Sequence, residues 1–241
     1  MKSVKFALCL ATASAMLVAP AVAAAQDDNV VVVTASRSDR SSNFQYYDDD
    51  QSAIGFTRKA DYFVKPIYVN SDSRSDELRR EELFAMLRAT IERAEREGIA
   101  LVAGTYALRP LTTANMEELQ IRGGGRPDTS RVMFYARLPV SGKDARASDA
   151  DARIERFVKG VPATGRSFIE TGSTSLALNN PDQYRIDVVR AIAEESRRYA
   201  ALFGNDYGIE IRGLDSELFW QQASETEVFL YIEHNFVIKP K

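Results

Sequence analysis

Between Arg122 and Arg131 the chain reads Arg-Gly-Gly-Gly-Arg-Pro-Asp-Thr-Ser-Arg, three guanidinium groups around three consecutive glycines. Guanidinium donors match the geometry of carboxylate and phosphate, and glycines let backbone amides approach an anion closely. Arg122, Gly123, Gly124, Gly125, Arg126 and Arg131 are therefore the candidate ligand-binding residues, for a carboxylate or phosphate group. A hairpin connection with no ligand is the competing reading of the same segment.

Other chemistry-bearing residues point less far. Gly160-Val161-Pro162-Ala163-Thr164-Gly165-Arg166-Ser167 departs from a phosphate-binding P-loop by one residue, Arg in place of Lys. A P-loop follows a strand and opens a helix, so that amides at the helix N-terminus face the phosphates. This segment is predicted to follow a helix and open a strand, which makes it a turn. His234 is the one histidine and Cys9 the one cysteine, so a site of several His or Cys metal ligands is excluded. His234 alone could act as a general base, against its plain reading as a strand residue. Ser173 and Ser175 lie in no G-x-S-x-G elbow. Asp48, Asp49 and Asp50 supply oxygen ligands without the alternating spacing and glycine of a calcium loop. They read as a solvated acidic patch. No catalytic residue, no metal and no cofactor is expected.

The composition is that of a globular chain: 241 residues, 45% hydrophobic and 27% charged, with net charge -3. Nucleic acid is not an expected partner, since phosphate binding needs a clustered surplus of Lys and Arg. Residues 1–25 carry Lys2 and Lys5, an apolar run from Phe6 to Val18, and small residues ending Ala23-Ala24-Ala25, the pattern of a secretory signal peptide. The run is too short for a membrane span, so none is expected after cleavage. Cleavage removes both lysines and the cysteine, leaving a net charge of -5. Without disulfides the mature chain must be held by burial alone, which about 216 residues can supply. The periplasm is the expected location, with outer-membrane association as an extension.

Residues 26–52 form a polar N-terminal arm with one edge strand at Val30 to Val33. Residues 62–70 read as a strand in which Pro66 marks an edge or a bulge. A helix follows, with Ser75 as N-cap, Leu83, Leu87, Ile91 and Ala94 on one stripe, and Gly98 as the stop. Residues 99–111 read as a strand. Residues 131–140 form another, with Val132, Phe134, Ala136, Leu138 and Val140 on one side. A short helix covers 149–159 through Ile154, Phe157 and Val158. Residues 166–178 read as a strand. Asn180 and Pro181 open a helix to Phe203 with Val189, Ile192, Ser196, Tyr199 and Phe203 near one face. Residues 207–214 and 228–238 are the last strands. The expected fold is α+β, from duplicated β-α-β-β units at 61–140 and 166–238, with antiparallel or mixed sheets and helices packed on one face.

The second half, with Val188-Val189-Arg190-Ala191-Ile192-Ala193, Tyr199-Ala200-Ala201-Leu202-Phe203-Gly204, Ile209-Glu210-Ile211 and the closing Val228-Phe229-Leu230-Tyr231-Ile232-Glu233, resembles the SIMPL domain family of exported bacterial proteins. The resemblance spans about residues 60–240, inside a domain placed at 53–241. It implies a periplasmic α+β protein with no established reaction, linked to envelope or stress functions and assembling into homo-oligomers. The family's opening, a glycine-containing strand followed by Pro-Asp, is absent.

The expected function is thus a non-enzymatic exported protein acting by binding or self-association, with an envelope protein or cell-wall partner. Two alternatives stand beside it. One is a periplasmic hydrolase using carboxylates or His234. The other is an accessory protein of an outer-membrane transporter, suggested by Val31-Val32-Val33-Thr34-Ala35-Ser36-Arg37, which looks like the segment by which TonB-dependent receptors engage their partner. The aromatics Phe219, Trp220, Phe229, Tyr231 and Phe236 divide between core and partner surface.

Overall fold

Two ten-residue strands, β3 (Tyr62–Ser71) and β7 (Ser130–Pro139), pair antiparallel along their full length, Tyr62 opposite Pro139 and Ser71 opposite Ser130. They are the centre of a computed structural model that describes residues 30–33, 54–104, 108–126, 128–142 and 145–241. The secretory segment, Asp48 to Asp50 and Thr34 to Arg37 lie outside the described residues. Shorter strands flank the central pair end to end. β8 (Ser167–Thr171) and β9 (Ser175–Asn179) run along β3, while β4 (Ala100–Ala103) and β6 (Arg122–Gly123) run along β7. β5 (Arg109–Pro110) lies outside β4, and β1 (Val30–Val33) takes the edge beyond β9, where the edge strand of the arm was expected.

Pro66 marks a bulge and not an edge. Val64 faces Ser175 and Ile67 faces Thr171, so the flanking chain holds one residue more than β3 across this stretch. Proline has no N–H for the ladder, and the extra residue falls opposite it. The Pro66 carbonyl still accepts from the Gly172 amide at 2.9 Å.

Two helices cover one face of this sheet. α1 (Asp76–Glu97) starts at Ser75, whose Oγ accepts from the Leu78 amide at 3.1 Å, and ends at Gly98 with φ 64°. Leu83, Leu87, Ile91 and Ala94 are buried against Phe63, Ile67, Phe134 and Leu138. α2 (Ala147–Lys159) adds Ile154 and Phe157 beside them. Period-two alternation in the strands and a 3.6-residue stripe in the helices together produce this layer. The fold is α+β, and none of the described helices is long and apolar enough to cross a membrane.

The last third packs as a second group around α3 (Arg185–Ala201). β2 (Gly55–Lys59), β12 (Glu227–Ile232) and β11 (Leu218–Gln222) form a three-stranded antiparallel sheet with β12 in the middle. β10 (Tyr207–Arg212) and β13 (Asn235–Pro240) form a two-stranded one. Only Ala60 and Asp61 separate β2 from β3, so one stretch of chain serves both sheets. Asp61 fixes the corner: its amide donates to Ala177, its carbonyl accepts from Val140, and its carboxylate accepts from the Asn179 amide at 2.8 Å and from Arg58 at 2.9 Å.

Several expectations change. Residues 61–140 hold one strand before their helix whereas 166–238 hold two, and the later segment closes no sheet of its own, because β8 and β9 join β3 while β10 to β13 divide between two further sheets. The strand expected at 228–238 breaks at Glu233 and His234, where the chain leaves one small sheet for the other. The strand expected at 99–111 is two short strands. Asn180 makes no side-chain cap. It sits at φ 37°, and Pro181–Tyr184 forms a 3-10 turn before α3. The buried stripe of α3 is Val188, Ile192, Ser196 and Ala200, leaving Tyr199 and Phe203 exposed. Small Ser196 and Ala200 let the helix approach β2 and β12 closely, which the larger side chains one position away would prevent. β2 and β11 were not anticipated.

Candidate functional site

The arginine-glycine segment folds as a hairpin onto the end of the central sheet. Arg122 pairs with Arg131 and Gly123 with Ser130, and the turn closes through the Gly124 amide donating to the Thr129 carbonyl at 2.6 Å. The hairpin reading and the binding reading of this segment are therefore compatible. Arg122 and Arg126 are exposed at its surface, Arg122 reaching the Gln120 side chain at 3.2 Å.

Arg131 is placed differently. Side chains alternate along β7, and Val132, Phe134, Ala136 and Leu138 all point to the helices, so Arg131, Met133, Tyr135 and Arg137 occupy the opposite face. That face carries no helix among the described residues. Register puts Phe168, Asn70, Arg131 and Arg122 side by side in one row across β8, β3, β7 and β6. The next row holds Glu170, Tyr68 and Met133. The guanidinium carbon of Arg131 lies 5.3 Å from the centre of the Tyr68 ring, a cation-π distance. The Arg131 Nη2 also lies near Gly125, where an added Cβ would stand 3.4 Å from it.

Arg131 thus lies over a tyrosine ring, and its Nε is buried without a hydrogen-bond partner. A buried guanidinium N–H with no acceptor is costly, and an incoming oxygen would relieve it. Beside it the Asn70 amide donates to Glu170 Oε2 and to the Tyr68 carbonyl, both at 3.2 Å, while Phe168 is 37% exposed. Further along the face Arg137 stands 4.3 Å over the Tyr62 ring. Tyr135 lies between, its phenol pushed up by burial and by neighbouring Tyr68. The far end of the face is closed by Leu108, packed with Val64, Val102 and Ala177.

The remaining candidates are dispersed. Gly160 to Ser167 joins α2 to β8, the helix-to-strand order that excludes a P-loop. His234 sits at the corner between β12 and β13 with Nδ1 2.8 Å from the Ile232 carbonyl oxygen. Ser175 belongs to β9 in the main sheet, so no serine and histidine pair is formed across them. Among the described residues no group of three or more His, Cys, Asp or Glu could hold a metal ion.

The carboxylates that sequence could not place do converge, on lysine. Lys65, on the helix-facing side of β3, reaches Asp151 Oδ1 at 2.5 Å and Glu155 Oε1 at 2.8 Å. A groove of about 410 Å³ between α3 and the β2–β12 pair is lined by Ile54, Gly55, Glu194, Arg198, Tyr199 and Phe229. Sequence reading missed Tyr68, Asn70, Phe168 and Glu170, whose only signal was their position in predicted strands.

Compared with models of protein families, with curated proteins and with solved structures, the chain matches none of them.

Proposed function

We propose that this chain is an exported, non-enzymatic protein of the bacterial envelope that acts by binding, and that the face around Arg131 is its binding surface for an anionic partner in the cell wall. The observation that carries the reading is Arg131 itself, laid over Tyr68 with its Nε out of water and without an acceptor. A carboxylate or phosphate oxygen would complete it by a charge-assisted hydrogen bond, and Arg122 and Arg126 stand nearby on the same hairpin. The leader at residues 1–25 supports export and a periplasmic location, and the likeness to the SIMPL family points the same way. A hydrolytic alternative has less support, because Asp151 and Glu155 are engaged by Lys65 and His234 faces its own chain.

Co-sedimentation of the mature chain with purified peptidoglycan sacculi tests the reading. Wild type is expected in the pellet, and Arg131→Gln is expected to weaken retention about tenfold, the loss of roughly one charge-assisted hydrogen bond. Equal retention of the two proteins, or none with either, would overturn it.

Self-association has its own observation. At the end of α3, Leu202 is 80% exposed and Phe203 59%, and Tyr207, 39% exposed, lies with its ring 6.0 Å from that of Phe203. An apolar cluster of this kind commonly marks an interface. Light scattering of the mature chain should give a mass above that of one chain, reduced to a single chain by Leu202→Glu with Phe203→Glu. A monomer in the wild type would remove this part of the proposal.

A further inference from the structure

The ligand of the Arg131 face can be specified further by what surrounds the arginine. Resting on the anion-binding reading above, we infer that this face takes an acidic saccharide, about two linked sugar rings carrying a carboxylate, and not a polyphosphate or a simple anion. Four features lead there.

First, Phe168 and Arg131 stand on either side of Asn70 in one row, two strand spacings apart, or about 10 Å. That is the span of two linked sugar rings, with the aromatic ring at one end and the guanidinium at the other. Second, Phe168 is 37% exposed, and Tyr68 in the adjacent row already backs Arg131. A flat, partly exposed ring offers its face to the C–H surface of a pyranose, whereas an inorganic anion gains nothing from it.

Third, the second row brings in Glu170, an exposed carboxylate on the Phe168 side of the face. It would repel a polyphosphate, yet with one oxygen held by the buried Asn70 amide at 3.2 Å its other oxygen is an acceptor for sugar hydroxyls. Fourth, the mature chain carries a net charge of -5. Its long-range field disfavours a dense polyanion and leaves a singly charged ring to be recognised by local contacts. Among these groups the carboxylate of the sugar meets Arg131, the ring meets Phe168, and the hydroxyls meet Glu170.

Titration calorimetry of the mature chain with digalacturonate, with the neutral digalactoside and with inorganic phosphate tests this. Digalacturonate is expected to bind at least tenfold more tightly than either other probe. Phe168→Ala should weaken digalacturonate about tenfold and leave any phosphate binding unchanged, with an unaltered thermal midpoint because the ring is not in the core. Arg131→Gln should abolish the preference for the acid over the neutral sugar. If phosphate binds as tightly as digalacturonate and Phe168→Ala changes neither, the saccharide is overturned while the anion site stands. If neither digalacturonate nor phosphate binds, both fall.

Discussion

Replacing Lys65 with methionine is expected to lower stability by about 2–3 kcal/mol, measured as a reduced urea midpoint with an unchanged slope. Lys65 is 4% exposed, and its ammonium group is the shared partner of Asp151 and Glu155, one turn apart on α2. Thr174 and Thr171 donate to the same two carboxylates, each at 2.6 Å. Methionine keeps the packing of the stem and leaves two like charges facing one another against the sheet. Breaking a fully buried pair costs about 3–5 kcal/mol; the 42% exposure of the Asp151 side chain and 31% of Glu155 moves this case to the lower figure. Adding Asp151→Asn and Glu155→Gln to Lys65→Met should recover most of the loss, since no charge then lacks a partner.

The pH dependence follows from the same cluster. Burial works to lower the Lys65 pKa, but the hydrogen bonds from its ammonium group to the two carboxylates outweigh it and raise the value. Burial works to raise Asp151, and the bonds from Lys65 and Thr174 outweigh it. Lys65 and then Thr171 hold Glu155 below the usual carboxylate range. The lysine therefore contributes at every pH below its ordinary titration, and its contribution is lost only as pH rises through the raised folded value. The carboxylates contribute above their unfolded titration near pH 4 and lose that contribution as pH falls through their lowered folded values. The stability difference between wild type and Lys65→Met should be constant around neutrality and shrink below about pH 4.

Glu82→Ala is expected to cost about 2–4 kcal/mol in the same denaturation measurement, combining a small cavity with stranded donors. Glu82 is 7% exposed and accepts from the Ser71 hydroxyl at 2.7 Å and the Ser73 hydroxyl at 2.8 Å. Burial works against its charge, yet those hydroxyls and the Arg166 backbone hold the carboxyl below its ordinary range. One turn earlier Arg79, 8% exposed, donates to the Ser73 carbonyl at 2.7 Å and to Ser130 at 3.2 Å, and also pairs with Asp76. Ser130 precedes Arg131, so the network that locks α1 to β3 also seats the root of the arginine hairpin. Hydrogen exchange at residues 130 and 131 should accelerate in Glu82→Ala. Glu82→Gln, which keeps an acceptor oxygen, should cost less than half as much.

The layer of α1, α2, β3 and β7 was legible in the sequence because each element carries its own local signal. Ser75 and Gly98 bracket α1, and every second residue of β7 is apolar. The second group was misread where local signals conflict. α3 has two apolar stripes one residue apart, and the larger side chains, Val189, Tyr199 and Phe203, suggested the buried one, although Tyr199 instead stacks on Phe236 at 5.6 Å. The corner at Glu233 and His234 contains no glycine or proline, so nothing local announces that a strand ends there. The site was half legible in the same way. Arg122, Arg126 and Arg131 stand out in one short segment, but Tyr68 and Phe168 come from strands 100 positions apart and share a face with Arg131 only through register.

The corner at Ala60 and Asp61 has a kinetic consequence. β2 pairs with β12, more than 160 positions further along the chain, and β1 pairs with Leu176 to Asn179. Contacts so distant along the chain make closure slow, because loop entropy must be lost before the pairing compensates for it. A nascent or truncated chain ending before Glu227 would hold β3, β7 and α1 with one arm of the corner unsatisfied. The native state is therefore reached only once the segment from Glu227 onward is available, and until then β2 is an unpaired edge on which another chain could add a strand.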